Sequence, residues 1–162
     1  MHEAVSKGLT KYTAVSGMAD LREAIVEDLD SRKGLAFSPD QIIVSGGAKQ
    51  SIMQALLCIL KPGDGVIIPS PYWTSYPDMV RICGATPVIV ETRAENGYKV
   101  LPDSIRESLE SNPKIKAVIL CNPSNPTGCV MTEEDLKALA DVLTDHPSVT
   151  VISDEIYEHL TY

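Results

Sequence analysis

The feature that most constrains the fold is a series of short, continuous aliphatic runs separated by helical patterns. The run Ala117-Val118-Ile119-Leu120 is the clearest, and Ile42-Ile43-Val44 is similar to it. Strands with uninterrupted aliphatic runs are buried on both faces, an arrangement typical of parallel sheets covered by helices. We therefore predict an α/β fold with a mostly parallel sheet and helices on both of its faces.

Hydrophobic periodicity and terminal signals predict five helices and five strands. Gly34 is placed to end the first helix, and Thr132 with Asp135 forms a possible capping box at the start of the last. The predicted helices cover residues 18–33, 48–60, 73–83, 102–111 and a segment from 132 onward, and the predicted strands cover 41–45, 65–69, 87–91, 116–121 and 149–153.

Two of the predicted helices carry a specific expectation about burial. The segment 48–60 is apolar nearly all round, so it is expected to be buried rather than amphipathic. In the last helix, the apolar spacing predicts a core-facing side. That side is expected to contain Leu136, Leu139, Ala140 and Leu143.

Charge and cysteine content narrow the class of protein. The net charge of −8 argues against a nucleic-acid or anionic-membrane partner, because both require a basic face. The apolar stretches fall far short of the roughly 20 residues that span a bilayer. The four cysteines contain no C-x-x-C pair, which predicts reduced, buried thiols and neither disulfides nor a metal site. We expect a cytoplasmic protein, or one in an organelle lumen such as a plastid if a transit peptide precedes the chain.

Ligands of parallel α/β sheets bind beyond the carboxyl ends of the strands, so the segments that follow strands are informative. Ser45-Gly46-Gly47-Ala48-Lys49 precedes a helix, whose first amides could hold a phosphate. A plain glycine-rich turn explains this segment equally well. Trp73 follows the strand over 65–69 and could stack on a flat ring, although a lone Trp is usually part of a core.

Two further strand ends carry polar groups. Asn122-Pro123-Ser124-Asn125-Pro126-Thr127-Gly128 predicts a rigid loop that could fix the Asn125 amide, although it could also be a simple cluster of turns. Ser153-Asp154-Glu155-Ile156-Tyr157 could direct Asp154 at a cationic ring nitrogen, with Tyr157 on the same side. An ordinary N-cap aspartate is the alternative interpretation.

Together and in this order, these motifs resemble the aspartate-aminotransferase-like group of fold-type-I pyridoxal-phosphate enzymes, over essentially the whole chain. The segments Leu9-Thr10-Lys11-Tyr12-Thr13 and Gly47-Ala48-Lys49-Gln50-Ser51 look closest to the branch with aspartate and prephenate aminotransferases. The resemblance implies pyridoxal 5'-phosphate as cofactor and a homodimer. It also implies transfer of an amino group between an amino acid, of the aspartate or glutamate type, and a 2-oxo acid.

The resemblance implies a role for each candidate residue around the cofactor ring. Trp73 matches the aromatic residue that stacks on the pyridine ring, and Asp154 matches the partner of its nitrogen. Asn125 and Tyr157 match the donors to the phenolic oxygen. Trp73 and Asn125 would also contact the substrate.

The resemblance further implies how the cofactor phosphate is held. Gly47, Ala48 and Lys49 match the loop that cradles it, and Tyr12 matches a tyrosine that reaches the phosphate of the neighbouring subunit. Such enzymes keep cis peptides at positions matching Ser70-Pro71 and Asn125-Pro126.

The same resemblance predicts that residues 1–162 are part of one cofactor-binding large domain, cut before the Schiff-base lysine and without the small C-terminal domain. No residue of the chain would then be catalytic, since Lys49 lies at the phosphate end. We expect the isolated chain to be inactive and to fold poorly. The alternatives are a pyridoxal-phosphate lyase or synthase of the same fold, or a non-enzymatic truncated product acting as a scaffold or dimer partner. An unrelated nucleotide-binding domain would need a phosphate loop that this sequence lacks.

Overall fold

A computed structural model describes residues 1–161, which divide into two compact units, residues 1–51 and the residues from Ile52 onward. No helix of the described residues is long and apolar enough to cross a bilayer. The helices are α1 (His2–Ser6), α2 (Ala19–Lys33), α3 (Ala48–Ile59), α4 (Ser75–Ile82), α5 (Pro102–Ser111) and α6 (Glu133–Thr144), and the strands are β1 (Gly65–Ser70), β2 (Thr86–Glu91), β3 (Ile115–Cys121) and β4 (Thr150–Asp154).

In the first unit, the long helix α2 ends where the sequence predicts. Gly34 adopts a left-handed conformation with φ 65°, which glycine tolerates without steric cost. Its N–H donates to the carbonyl of Asp30, and the N–H of Leu35 donates to the carbonyl of Leu29. These bonds satisfy carbonyl groups that the end of a helix otherwise leaves without partners.

The predicted strand over residues 41–45 is wrong. Pro39–Gln41 forms a single turn of 3-10 helix, and the residues that follow are irregular. A strand requires a neighbour for its backbone hydrogen bonds, and the described residues provide no strand beside this segment. Val44 donates one hydrogen bond to the carbonyl of Ser16, while the side chain of Ile43 remains 67% exposed.

The second unit confirms the α/β prediction. Its four strands form one parallel sheet in the order β2-β1-β3-β4. Strand β1 alternates its side chains between the two faces of the sheet, as the two-residue period of a strand requires. Val66 and Ile68 pack in one core cluster with residues of α3 and α4, whereas Ile67 packs in a second cluster with residues of α5 and α6. Helices therefore cover both faces.

Helix α3 is not the fully buried helix that its composition predicts. Ile52 and Leu56 are buried against the sheet, whereas Leu57 is 57% exposed. The sheet offers one face to the helix, so only one stripe of it can be covered. No element of the described residues covers the stripe that contains Leu57.

Helix α6 is confirmed, but its buried side lies partly elsewhere than predicted. Leu139 and Val142 are buried and Leu143 is half-buried, whereas Leu136 and Ala140 are exposed. The spacing 139, 142, 143 is the i, i+3, i+4 stripe of a helix, so the prediction chose a stripe rotated from the true one.

All four cysteines are free thiols, and none of them is fully buried. Cys58 is exposed, and Cys83, Cys121 and Cys129 are half-buried. The prediction of buried thiols is therefore wrong in degree. The single buried stripe of α3 explains Cys58, which lies beside the exposed Leu57.

The capping box of α6 gives a testable contribution to stability. The Thr132 hydroxyl accepts from the N–H of Asp135 at 3.2 Å, and the Asp135 carboxylate accepts from the N–H of Thr132 at 2.9 Å. We expect Thr132→Ala to lower the free energy of unfolding of the full-length protein by about 1 kcal/mol. Thr144→Ala is the control, because this exposed hydroxyl donates only to a carbonyl of its own helix. Equal changes in the urea midpoint for the two variants would contradict the role of the cap.

Candidate active site

The loops that follow β3 and β4 meet at one edge of the sheet. In the parallel register Cys121 pairs with Asp154, the last residue of each strand. The N–H of Asn122 continues this pairing by donating to the Asp154 carbonyl at 3.2 Å. Because β1 lies next to β3, the loop that contains Trp73 leaves the sheet at the same end.

Asp154 is a buried acidic residue at this edge, with 8% of its surface exposed. Its Oδ2 accepts a hydrogen bond of 2.6 Å from the Tyr76 hydroxyl, and its Oδ1 accepts a longer one from the N–H of Ile156. A turn rather than a helix follows β4 in the described residues, so Asp154 is not a helix N-cap. Burial of a carboxylate is costly unless it is hydrogen-bonded or paired with a positive charge.

Asn125 and Tyr157 come from different loops and are in contact. The Asn125 Nδ2 donates to the Tyr157 hydroxyl oxygen at 3.1 Å, and both side chains are half-buried. A hydroxyl that accepts one hydrogen bond still has its own hydrogen to donate. The Asn125 amide likewise has a second N–H, so this pair can direct two donors at one acceptor.

The loop that carries Asn125 is held by its own hydrogen bonds. The Asn122 Oδ1 accepts from the N–H of Met131 at 3.0 Å, and the N–H of Gly128 donates to the Ser124 carbonyl at 2.8 Å. These contacts form the predicted turn. The expected cis peptides at Ser70-Pro71 and Asn125-Pro126 are present, and a further one occurs at Asn122-Pro123.

Trp73 is half-buried and packs against the first core cluster. Its ring lies edge-to-face with the ring of Tyr76, with centroids 5.4 Å apart and planes at 90°. This arrangement is favourable for aromatic pairs and restricts the orientation of the indole.

Tyr76 is a functional candidate that sequence reasoning missed. It is 2% exposed, and burial first, then the hydrogen bond to Asp154, raise the pKa of its hydroxyl far above the ordinary range. One signal could have found it: Tyr76 lies three residues after Trp73, at helical spacing, beside the carboxyl end of β1. A buried Tyr hydroxyl requires a partner, and Asp154 provides it.

The predicted phosphate loop lies in the first unit, at the start of α3. Gly47 adopts φ 103°, a conformation that a residue with a side chain rarely takes. The N–H of Gly46 donates to the Gln50 side chain at 2.7 Å, and the carbonyl of Gly47 accepts the first hydrogen bond of the helix. Ala48 and Lys49 form the first turn of the helix, where the helix dipole places a partial positive charge.

Tyr12, also in the first unit, is fully exposed. Its side chain is therefore accessible to a second molecule.

The residues of the second unit bring together a buried carboxylate, an amide and hydroxyl pair, and an aromatic ring. A carboxylate stabilises a positive charge, and two convergent donors stabilise a negatively charged oxygen. This set of groups suits a flat ring that carries a protonated nitrogen and an anionic oxygen. Within residues 1–161 no cluster of three or more metal-ligating side chains occurs.

The sequence is similar to aminotransferases of a plant and of a bacterium. The bifunctional aspartate aminotransferase and glutamate/aspartate-prephenate aminotransferase of Petunia hybrida is 47% identical over 98% of this chain and 33% of its own length. The aspartate/prephenate aminotransferase of Cereibacter sphaeroides is 46% identical, over 98% of this chain and 39% of its own length. The chain thus spans between a third and two fifths of these relatives.

Solved structures agree with the sequence relatives. The aspartate aminotransferase of Rhizobium meliloti matches 99% of this chain and 40% of its own, with a TM-score of 0.94 and 40% identity. That of Thermus thermophilus, solved with maleate, matches 99% of this chain and 41% of its own, with a TM-score of 0.93 and 43% identity. The family model for aminotransferase class I and II matches residues 2–162. The chain belongs to the class I and II aminotransferase family and carries part of its fold-type-I architecture.

Proposed function

We propose that the full-length protein containing this chain is a pyridoxal-phosphate-dependent aminotransferase. It exchanges an amino group between an amino acid, of the aspartate or glutamate type, and a 2-oxo acid. The observation that carries the proposal is the buried Asp154 carboxylate beside the Asn125–Tyr157 pair. The aspartate and prephenate specificities named for the relatives support the substrate class.

Asp154 fits the protonated nitrogen of a pyridine ring. A carboxylate in a low-dielectric site strongly favours a cationic partner at hydrogen-bond distance, because both charges are shielded from water. When bound, pyridoxal phosphate supplies an electron sink that depends on this protonated nitrogen. The role of Asp154 is to keep the proton on the nitrogen.

Asn125 and Tyr157 fit the phenolic oxygen of the same ring. Both can donate to one acceptor, and donors favour the ionised form of the oxygen they contact. Trp73 would stack on the ring face, and Trp73 with Asn125 would also contact the substrate. These side chains leave the sheet at the same end, which supports their acting on one ligand.

The family resemblance supports two further parts of the proposal, namely how the cofactor phosphate is held and what a second subunit contributes. Gly47, Ala48 and Lys49 would hold the phosphate through the amides at the start of α3, in a region suited to anions. The exposed Tyr12 would reach the phosphate of the neighbouring subunit in a homodimer. The Schiff-base lysine is proposed to lie in a part of the full-length protein outside residues 1–162.

Two measurements on the full-length protein test this proposal. The first is cofactor binding, followed by the visible absorbance of added pyridoxal phosphate. The second is formation of glutamate from aspartate and 2-oxoglutarate. Binding without amino transfer would favour the lyase or synthase alternative, and absence of binding would favour a scaffold or dimer partner.

Tyr157→Phe tests the donor pair. We expect the cofactor to bind, but with its visible absorbance titrating at higher pH, because one donor to the anionic oxygen is lost. A hydrogen bond to a charged group is worth about 1.5–3 kcal/mol, so the titration should shift by roughly one to two pH units. The control is Tyr98→Phe, which removes the hydroxyl of an exposed tyrosine that is not among the proposed site residues. An unchanged titration in Tyr157→Phe would contradict the role of Tyr157.

A further inference from the structure

Tyr76 connects two side chains to which the proposed function gives contacts with the cofactor ring. It is in the first turn of α4 and is buried. Its hydroxyl donates to Asp154 at 2.6 Å, and its ring is in edge-to-face contact with Trp73. One residue therefore touches both the proposed partner of the ring nitrogen and the proposed stacking residue.

We propose that Tyr76 is a positioning residue that holds the Asp154 carboxylate in the orientation needed to meet a cationic ring nitrogen. The inference rests on the proposed function. The Tyr76 hydroxyl contacts Oδ2, and the N–H of Ile156 contacts Oδ1, so each carboxylate oxygen has a donor from the protein. Donors to both oxygens of a carboxylate restrict its rotation. The contact at Oδ1 is the longer of the two, at 3.3 Å. The protein donor at Oδ1 therefore competes less strongly with a ring nitrogen that donates to the same oxygen.

A tyrosine suits this role because its donor is neutral and permanent. Burial and the hydrogen bond to Asp154 raise the pKa of Tyr76, so its hydroxyl keeps its proton throughout the physiological pH range. A cationic donor in the same place would repel a protonated ring nitrogen across the carboxylate. Tyr76 instead orients the carboxylate and leaves its full negative charge for the ligand.

The test uses the full-length protein saturated with pyridoxal phosphate labelled with nitrogen-15 in the ring. In Tyr76→Phe we expect the ring-nitrogen chemical shift to move towards the unprotonated value. The dissociation constant of pyridoxal phosphate should also rise, because the ring nitrogen then meets a carboxylate that is less well held in place. Tyr72→Phe is the matched control, since Tyr72 is half-buried against the same core cluster and in the same loop region. An unchanged chemical shift in Tyr76→Phe overturns the inference.

A double-mutant cycle separates positioning from a merely structural role. If Tyr76 acts through Asp154, Tyr76→Phe should cause no further change of the nitrogen signal in an Asp154→Asn background. Equal changes in both backgrounds overturn the inference.

Should Tyr76→Phe fail to fold, 3-fluorotyrosine at position 76 keeps the ring and hydroxyl while strengthening the donor. It should move the nitrogen signal towards the protonated value, and an unchanged signal again overturns the inference. A wild-type protein that binds no pyridoxal phosphate overturns the proposed function as well. Binding by the wild type with no response to changes at Tyr76 overturns this inference alone.

Discussion

Replacing Asp154 with Asn in the full-length protein should lower kcat/KM for aspartate on the order of a hundredfold. An opposite charge beside an ionisable group shifts its pKa by about 1–3 units, and each unit corresponds to a factor of about ten. Asn is nearly the same size as Asp but carries no charge, so the ring nitrogen loses its charged partner. The Asn side-chain oxygen can still accept from Tyr76, so we expect the variant to fold. The measurement is steady-state kinetics with aspartate and 2-oxoglutarate.

Glu155→Gln is the matched control for this substitution. Glu155 is the adjacent carboxylate, but it is exposed, and it accepts a hydrogen bond from Ser153 that a Gln can also accept. We expect its kinetics to match those of the wild type. If Asp154→Asn were as active as Glu155→Gln, Asp154 would not be the partner of the ring nitrogen.

The second large effect is expected in the core of the sheet. Ile67 is completely buried in β1, between Val88 of β2 and Val118 of β3 in the register of the strands. Ile67→Ala removes three carbon atoms and leaves a cavity that close-packed neighbours fill only in part. We expect the free energy of unfolding to fall by about 2–5 kcal/mol, a large share of the roughly 5–15 kcal/mol typical of proteins.

The comparison for Ile67→Ala is Ile82→Ala, measured by urea denaturation of the full-length protein followed by circular dichroism. Ile82 ends α4 and is 70% exposed, so the same truncation should change stability by no more than about 0.5 kcal/mol. Similar midpoints for the two variants would mean that β1 is not at the centre of the stable core.

Local signals in the sequence predict most of the elements because neighbouring residues determine them. Gly34 ends α2 through its own backbone conformation, and Thr132 with Asp135 caps α6 through contacts over three residues. The buried runs of β1 and β3 similarly indicate strands with two covered faces, and the parallel sheet confirms this prediction. Such features depend on hydrogen bonds and burial patterns within one short segment, so they can be predicted without knowledge of the fold.

Predictions that depend on distant partners succeed less well. The aliphatic run Ile42-Ile43-Val44 has strand-forming residues, yet it forms no strand without a neighbour to pair with. Helix α3 is apolar nearly all round, but only the stripe with Ile52 and Leu56 meets the sheet. The composition of a segment determines which side chains it could bury, whereas the packing of other elements determines which side chains are buried.

The same division applies to the candidate site. The sequence by itself singles out Asp154, Asn125 and Tyr157, because polar residues directly after buried strands meet at one edge of a parallel sheet. Only the tertiary structure shows that Tyr76 is the partner of Asp154, because this hydrogen bond joins residues 78 positions apart. Hydrogen bonds are short and directional, so this contact depends on how α4 packs on β1 and β2 and brings the Tyr76 hydroxyl to the last residue of β4. A sequence pattern can place residues at the same edge, but the folded chain decides which of their atoms come within bonding distance.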